Sequence, residues 1–500
     1  MNTQLNEERI RLIFGLKVRQ LRMEKELSLQ ELAEKTELSI SYLNEIEKGK
    51  KYPKADKIFA LSKALDAPYD FLVSLKLTKK LAPLGDILES GLLDEIPLDF
   101  FGVDSQKLIE LIAASPAKVS AFLSTYIDMA RNFDLNKEQF FSAALRSFQE
   151  LNENYFKEIE EAVVQCYENL GWNSQAPLTC EQLKNVLSEN YGATIEEKDF
   201  TEWTDLKSFR TFFIPNTKTL IINQELSEDQ KKFILAKELG YYFLELPLNQ
   251  RTYFFQDWVN TTSFDQALIN FKASYFAGAL LLPEKPLVQE LKYFFDQKSF
   301  PEDYLRSLLE KWHATPETLM YRFTNLLPKH FGLNKLFFLK FHQEENSHKY
   351  HLSKELHLNH KHSPHGNEKG EHYCRRWQSI RIFDLVNSNP GAYFIGAQKS
   401  VYYDSKDEYL VLTFGRQTLK TPWSNVSINI GIELQPESKR KIKWLNDSAI
   451  RNQLVNVTCE RCSINNCQER VAPPTIQEKK NQIERVKELI SKVELGELRI

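Results

Sequence analysis

Two short amphipathic helices on either side of a tight turn, within residues 28–49, constrain the fold of this chain most strongly. Ser28 stands three residues before Glu31, which is the spacing of a capping box at a helix start. After a break in the pattern, Ser39 is a second candidate N-cap. The inward positions of both helices are apolar: Leu32, Ala33, Leu43 and Ile46. Such a pair of helices fits the major groove of DNA; the alternative is a small helical bundle with no nucleic-acid role.

The outward face of the second helix would then contact the DNA bases. An outward Ile40 suits a thymine methyl group, and Ser41 and Asn44 can hydrogen-bond base edges or phosphates. Glu45 can accept a hydrogen bond from a cytosine amino group. The loop of residues 48–57 carries five lysines against one aspartate, which favours phosphate contacts. The predicted DNA-contacting residues are Leu29, Ser39, Ile40, Ser41, Asn44, Glu45, Lys48, Lys50 and Lys51.

The charge of this first segment predicts a dimer. Residues 1–76 hold 14 Lys and Arg against 12 Asp and Glu, a balance of only +2. One copy should therefore bind DNA modestly, because phosphate contacts supply much of the affinity. We expect a homodimer on an inverted-repeat operator, with half-sites about one or two helical turns apart.

Five short helices are predicted in the first 75 residues or so, the last of them in the run AlaProTyrAspPheLeuVal. With the capped turn and the GluLysGlyLysLysTyrPro tail, this segment resembles the XRE (Cro/repressor-like) helix-turn-helix family. That resemblance implies sequence-specific binding of duplex DNA.

The length and composition of the chain predict a multidomain cytosolic protein. Five hundred residues suggest about three domains, and 42% apolar residues suffice for well-formed cores. We expect no signal peptide and no membrane partner, since the longest apolar run is too short to span a bilayer. Six cysteines in such a chain suggest thiols or metal ligands rather than disulfides. The predicted domains are an all-α head (1–76), a helical connector with a dimerisation surface or a mere spacer (77–170), an α+β domain (171–332) and an α+β sensor (333–500).

Residues 178–290 resemble the ImmA/IrrE-type zinc metallopeptidase domain, through runs such as KKFILAKELGYYFLEL and NFKASYFAGALLLPE. Active members carry HisGluXxxXxxHis on a helix, with two zinc-binding histidines and a glutamate that activates water. Here the matching positions are Lys237, Glu238, Tyr241 and Lys272, and residues 1–312 contain no histidine. The resemblance implies a degenerate zincin-like domain, a pseudo-enzyme. We expect Glu238 to pair with Lys237 or Lys272, and the cationic centre to be structural or to suit an anionic ligand.

The last third of the chain is strand-rich. Alternating β-branched and aromatic residues between Gly, Asn and Pro breaks predict an antiparallel sheet. The runs are 336–341, 350–358, 391–397, 409–416 and 426–432. Together with flanking helices they predict an α+β domain of the sensory, GAF-like sort.

Four cysteines of this region form a candidate metal site. Cys459, Cys462 and Cys467 follow one another with two and four residues between them, and Cys374 could complete a set of four. Four thiolates would hold a structural zinc ion, with His372 as a substitute ligand. An iron–sulfur cluster, redox-sensing thiols and unliganded cysteines remain alternatives. Residues 342–372 hold eight histidines among Asn, Lys, Ser and Gly, and we interpret them mainly as a hairpin and a solvated loop, with metal affinity as the alternative.

The head, the degenerate peptidase-like domain and the cysteine block followed by ArgValAlaProPro together resemble the short-chain fatty acyl transcriptional regulators. That resemblance implies a DNA-binding regulator that responds to a small effector such as a short-chain acyl-CoA. Two other functions remain open: a protease-coupled regulator that cleaves a partner repressor, and a repressor of phage or toxin–antitoxin type.

Overall fold

The structure is a computed structural model and describes residues 2–75, 137–201, 209–251, 261–344, 347–358, 370–389, 393–418 and 423–495, with a few positions between them. The chain forms two compact units, one that contains the amino-terminal head and one of residues 142–261 and 266–500. Residues 77–136, most of the predicted connector, lie outside the described residues.

The head consists of five helices. They are α1 (Asn2–Glu24), α2 (Leu29–Thr36), α3 (Ile40–Glu47), α4 (Ala55–Leu65) and α5 (Tyr69–Val73). Their apolar faces form one core, made of Phe14, Val18, Leu32, Leu43, Ile46, Ile58, Leu61, Leu65 and Leu72. Helix α1 passes so close to α3 that a Cβ at Gly15 would lie 2.1 Å from the carbonyl oxygen of Ile46. The predicted helical head is thereby confirmed.

The turn between α2 and α3 is set by local hydrogen bonds. The Ser28 hydroxyl accepts the N–H of Glu31 at 3.1 Å, and the Glu31 carboxylate accepts the N–H of Ser28 at 2.7 Å, which confirms the predicted capping box. Glu37 ends α2 in the left-handed conformation, with a φ of 57°. Ser39 then caps α3 by accepting the N–H of Tyr42 at 3.2 Å.

The middle part of the chain is a helical layer around a small sheet. Its helices are α6 (Lys137–Leu151), α7 (Lys157–Leu170), α8 (Cys180–Tyr191), α9 (Glu228–Phe243) and α10 (Phe264–Leu281). Strands β1 (Thr194–Lys198), β2 (Thr211–Ile214) and β3 (Thr219–Asn223) pair in the order β1-β3-β2, with β1 parallel and β2 antiparallel to β3. A two-stranded hairpin, β4 (Phe254–Phe255) and β5 (Trp258–Val259), follows α9.

Helix α7 belongs to the core of this middle part, although its residues were predicted as connector. Ile159, Val163 and Cys166 recur at helical spacing and are buried against α8, β3, α9 and α10. The Glu160 carboxylate pairs with Arg322, which lies far along the chain. These partners are distant in sequence, so helical periodicity alone could not reveal them.

The carboxy-terminal part places helices on both faces of a six-stranded sheet. The elements are α11 (Glu284–Asp296), α12 (Glu302–Trp312), α13 (Pro316–Phe331), β6 (Leu336–Glu344), β7 (Tyr350–His357), α14 (Gln378–Ser388), β8 (Phe394–Tyr402), β9 (Glu408–Gln417), β10 (Trp423–Glu433), α15 (Pro436–Lys441), β11 (Arg451–Val455) and α16 (Thr475–Glu494). The strand order is β11-β8-β9-β10-β6-β7. Neighbours are antiparallel except β11, which pairs parallel to β8 after the crossover through α15.

Alternation along β6 separates the two faces of the sheet. Phe337, Leu339 and Phe341 share a core with Phe383 of α14. Leu336 and Phe338 point to the other face and pack with α11–α13. The coarse α+β architecture is confirmed. Among the described helices, none is both long enough and apolar enough to cross a bilayer.

Candidate functional sites

Helix α3 presents the predicted reading surface on the head. Leu43 and Ile46 are fully buried, which turns the other side of the helix outward. Ser39, Ile40 and Ser41 are exposed, and the exposed fraction of Ile40 is 49%. Asn44 and Glu45 lie half-buried on the next turn. An apolar side chain held this open to water suits contact with a base methyl group.

The basic loop after α3 is tied to the end of that helix. The Glu45 carbonyl accepts the N–H groups of Lys50 and Lys51, at 2.9 and 3.3 Å. The Lys51 ammonium lies 2.9 Å from the Glu45 carboxylate, and this bond raises the pKa of Lys51. Glu45 would therefore have to exchange Lys51 for a cytosine amino group in order to contact a base.

A groove of about 250 Å³ lies beside the amino-terminal end of α2, the middle of α3 and the second half of α1. Its lining residues are Arg19, Arg22, Leu29, Asn44, Glu47 and Lys48. The Arg22 guanidinium is neutralised by two bonds to the buried Glu47 carboxylate, at 2.6 and 2.8 Å. The Nε of Arg19, by contrast, is buried with no hydrogen-bond partner in the described part of the chain.

Arg19 and Arg22 were not among the sequence-predicted site residues. Their spacing of three on α1 puts them on one helix face, which was the available signal. Arg19 and Lys48 together give the groove positive charge. The groove adjoins three of the predicted contact residues, namely Leu29, Asn44 and Lys48.

The peptidase-like centre consists of the residues at the predicted metal-site positions, and these residues lie on α9 and α10. Lys237 is half-buried, and its ammonium donates to the Asn270 side-chain oxygen at 2.6 Å. The Tyr241 hydroxyl donates to the same oxygen at 3.5 Å. Burial, followed by the nearby charge of Arg251, lowers the pKa of Lys237 to about 7. Lys272 lies half-buried on α10.

Glu238 pairs with Arg251, so the expectation that it pairs with Lys237 or Lys272 is wrong. The Arg251 guanidinium binds both oxygens of the Glu238 carboxylate, one of them at 2.8 Å. It is held between the rings of Phe213 and Tyr241, at 3.6 and 4.1 Å from the ring centroids. Burial raises the pKa of Glu238, and Arg251 opposes that rise. Glu238, which was predicted at the position of a water-activating glutamate, is thus engaged in a structural ion pair.

A second ion cluster, which is half-buried, lies at the edge of the large sheet. Glu317 receives Lys340 at 2.8 Å and Lys354 at 3.4 Å. Burial alone would raise the pKa of Glu317, but the two ammonium groups hold it well below its usual value. The charge of Lys354 also acts on Lys237 and contributes to its lowered pKa. Cations therefore outnumber carboxylates in this region.

The four predicted cysteine ligands line one small cavity of about 10 Å³. Cys374, Cys459 and Cys462 are buried, and Cys467 is half-buried. The Cys374 N–H donates to the Val457 carbonyl at 3.1 Å. The Cys459 N–H donates to the His372 carbonyl at 2.8 Å. This pairing brings Cys374 to a loop that follows it by more than 80 residues.

Arg470 organises the cysteine loop from within. Its guanidinium donates to the carbonyls of Cys459, Ile464 and Cys462, at 2.7, 2.6 and 3.2 Å. Burial raises the pKa of Cys374 to about 11, and the neighbouring thiols add to the rise. The substitute ligand His372 is engaged, because its Nδ1 lies 2.7 Å from the Glu460 carboxylate. Within the described ranges, no group of three or more His, Cys, Asp or Glu side chains is arranged to hold a metal ion.

Comparison with known proteins identifies two domains. Residues 18–72 match the helix-turn-helix family, and residues 188–324 match the IrrE N-terminal-like domain family. The chain therefore contains a helix-turn-helix domain followed by an IrrE-like domain.

The similar proteins are named as transcriptional regulators. The HTH-type transcriptional regulator RamB of Mycobacterium tuberculosis, from two strains, is 25% identical over 286 residues, which are 54% of this chain and 57% of RamB. The match thus spans little more than half the length of these curated relatives. A solved structure described as a Mycobacterium tuberculosis transcriptional regulator is 16% identical, with a TM-score of 0.46, and the match covers 66% of this chain and 93% of that one.

Proposed function

We propose that this chain, with its helix-turn-helix head and IrrE-like domain, is a sequence-specific DNA-binding transcriptional regulator. The observation that carries the proposal is α3: it is capped at Ser39, held by a buried inner face, and open to water at Ile40 and Ser41. The basic loop and the Arg19 groove beside it supply donors for phosphates. The regulator relatives support the same function.

Two substitutions separate base reading from phosphate binding. Asn44→Ala should lower discrimination between operator and random DNA by about 5- to 150-fold, since a lost base contact costs roughly 1–3 kcal/mol. Lys51→Ala should weaken all sequences alike and reduce the salt slope. Mobility shifts of the full chain on an operator found by genomic mapping measure both effects. Lys63→Ala, an exposed lysine on α4, is the matched control. Unchanged binding in both test variants would refute the assignment of α3.

The regulator is proposed to act as a homodimer on an inverted repeat. A head with a balance of +2 has few phosphate contacts, so two heads on one operator are needed for a stable complex. Footprinting of the intact protein should show two protected half-sites about one or two helical turns apart. One protected half-site at saturating protein would contradict it.

The IrrE-like domain is proposed to be a pseudo-enzyme. Lys237 and Tyr241 stand where zinc-binding histidines are expected, and Glu238 is engaged by Arg251. A protein that cleaves a partner repressor is the competing function. Incubation of the chain with zinc and a denatured protein substrate should give no cleavage, and Glu238→Gln should leave that result unchanged. Cleavage that Glu238→Gln abolishes would establish the competing function.

The carboxy-terminal α+β domain is proposed to sense a small anionic effector, of which a short-chain acyl-CoA is the candidate class. The sheet with helices on both faces suits a GAF-like sensor, and the excess of cations around Lys340, Lys354 and the nearby Lys237 favours an anion. Calorimetric titration with acetyl-CoA, with free acetate and adenosine diphosphate as controls, tests the class. Absence of heat and of any effect on DNA binding would remove acyl-CoA as the effector.

The four cysteines are proposed to close on one metal ion, zinc in a structural role. The thiols would have to move together to bind the ion, because the described side chains include no group arranged for a metal. Their common cavity and the turn clamped by Arg470 support this site, and four thiolates would leave no open position for water. Elemental analysis of untagged protein lacking the histidine-rich residues 360–365 should give about one zinc per chain. Cys462→Ser should lose it, whereas Cys180→Ser, outside the cavity, should not. Iron with visible absorption would indicate an iron–sulfur cluster, and metal-free protein with an unchanged melting temperature would indicate ordinary thiols.

A further inference from the structure

Helix α16 carries an apolar stripe that begins at Ile476, is interrupted at Lys479 and continues from Ile483 to Val493. None of its residues is buried. The exposed fractions of Ile476, Ile483, Val486 and Ile490 are 38%, 47%, 47% and 52%. Surface apolar residues scattered singly need no explanation, but an aligned row on one helix face marks an interaction surface.

The spacing of the stripe is that of a coiled coil. Ile476, Ile483 and Ile490 recur every seven residues, and Val486 and Val493 stand three residues after the second and third of them. These are the a and d positions of a heptad repeat whose first d position is Lys479, and β-branched side chains at a are typical of parallel dimers. At 1.5 Å per residue, the 20 residues of α16 are about 30 Å long, or nearly three heptads.

An isolated helix of this composition gains little stability by itself. Most helical stability in proteins comes from packing of the apolar face, and no residue of α16 has such packing among the described residues. The charged positions of α16 alternate in sign, with five Lys and Arg and four Glu between residues 475 and 494. Helices that bind membranes or DNA have a predominantly basic polar face, so this helix suits a protein partner.

The first turn of α16 is fixed to the carboxy-terminal domain. The Glu460 carbonyl accepts the N–H groups of Ile476 and Gln477, both at 3.1 Å. The Glu460 carboxylate in turn accepts the His372 N–H at 2.9 Å. The stripe thus starts from a defined point on the domain, and two copies would present it identically.

We propose that α16 is the dimerisation element of the protein and pairs with α16 of a second copy as a parallel two-stranded coiled coil. A second copy of the chain is the expected partner, because a heptad stripe of a given period and length is complementary to a copy of itself. Three heptads bury little area, so the dimer dissociates on dilution and is reinforced when both heads bind one DNA. The association does not depend on the proposed DNA binding.

Sedimentation equilibrium of the full chain without DNA tests the pairing. The wild-type mass should rise with concentration from 58.5 kDa to twice that value. Ile483→Lys with Ile490→Lys should weaken dimerisation by about 100-fold or more, because each helix would bring two uncompensated charges into the seam. Leu495→Lys, at the most exposed apolar side chain of this segment (71%), lies off the stripe and is the matched control. Circular dichroism must show unchanged folding in both variants.

Crosslinking tests the orientation. Ile490→Cys should give a covalent dimer under mild oxidation, since equivalent a positions face each other in a parallel pair, whereas Leu495→Cys should not. A monomeric wild type, a dimer that survives the double substitution, or a crosslink formed only within one chain would each overturn the proposal. Failure of the wild type to bind any DNA while it still dimerises through α16 would refute the proposed function and leave this inference standing.

Discussion

Replacement of Arg251 by methionine should destabilise the IrrE-like domain more than any exposed substitution in it. The side chains of Arg251 and Glu238 are only 9% and 1% exposed. Methionine keeps most of the aliphatic stem but removes the guanidinium that lies between the Phe213 and Tyr241 rings. Glu238 would then be a buried carboxylate without its counter-charge.

The size of the loss follows from that burial. Removal of one partner of a buried ion pair costs about 3–5 kcal/mol, because the other charge stays desolvated. At 1.4 kcal/mol per decade, amide hydrogen exchange along α9 should accelerate by roughly two to four orders of magnitude. Exchange in the head, a separate compact unit, should stay unchanged and serves as an internal control.

The loss should also depend on pH. Burial raises the pKa of Glu238 above its ordinary value of 4.5, and removal of Arg251 raises it further. The folded state then binds a proton more tightly than the unfolded state, so stability falls as pH rises above about 4.5. The defect should be small at pH 5 and full at pH 8. Glu238→Gln in the same chain should restore most of the protection at pH 8. Equal exchange at both pH values, or no rescue, would refute the role of Arg251.

Two further substitutions test the buried charges. Arg322→Met should lower the free energy of unfolding by a similar amount, about 3–5 kcal/mol, because Arg322 binds both oxygens of Glu160 and the Leu282 carbonyl. Amide hydrogen exchange in α7 measures the loss, and an unchanged exchange rate would contradict it. Burial lowers the pKa of Lys237 to about 7, so between pH 7 and 10.5 the unfolded state binds more protons and wild-type stability should rise with pH. Lys237→Met should stabilise α9 at pH 7 by a few kcal/mol and flatten that rise, whereas an unchanged pH profile would mean that the ammonium is not desolvated.

Local features of the head were predictable because their causes lie within a few residues. The capping box joins Ser28 to Glu31, and the inner face of α3 follows helical periodicity. No tertiary contact is needed to recognise either signal. The strand positions of the last third were also predictable, since alternation is local.

Partners that come from distant segments were not predictable. Glu238 meets an arginine from a loop 13 residues away, and Lys237 meets Asn270, 33 residues away. Nothing in the spacing of these residues distinguishes them from other polar positions. Strand β11 likewise pairs in parallel because of the crossover before it, which strand alternation does not encode.

The cysteine site was predictable only in part. The spacing of Cys459, Cys462 and Cys467 predicted a single loop, which the structure describes. The approach of Cys374 depends on the bridge between Tyr373 and Thr458, 85 residues apart in the chain. The sequence suggested Cys374 by its residue type, and the bridge supplies the physical reason for its place in the cavity.

The ratio of affinities for operator and random duplex tests the central proposal most directly. The full chain is titrated at fixed salt against an operator obtained by genomic mapping and against a shuffled duplex of the same composition. If α3 reads base edges, the wild type should prefer the operator by about 10³-fold or more, and the Asn44→Ala variant should lose a substantial part of that preference. A ratio near one for the wild type, with all binding abolished by salt, would contradict sequence-specific regulation by this protein.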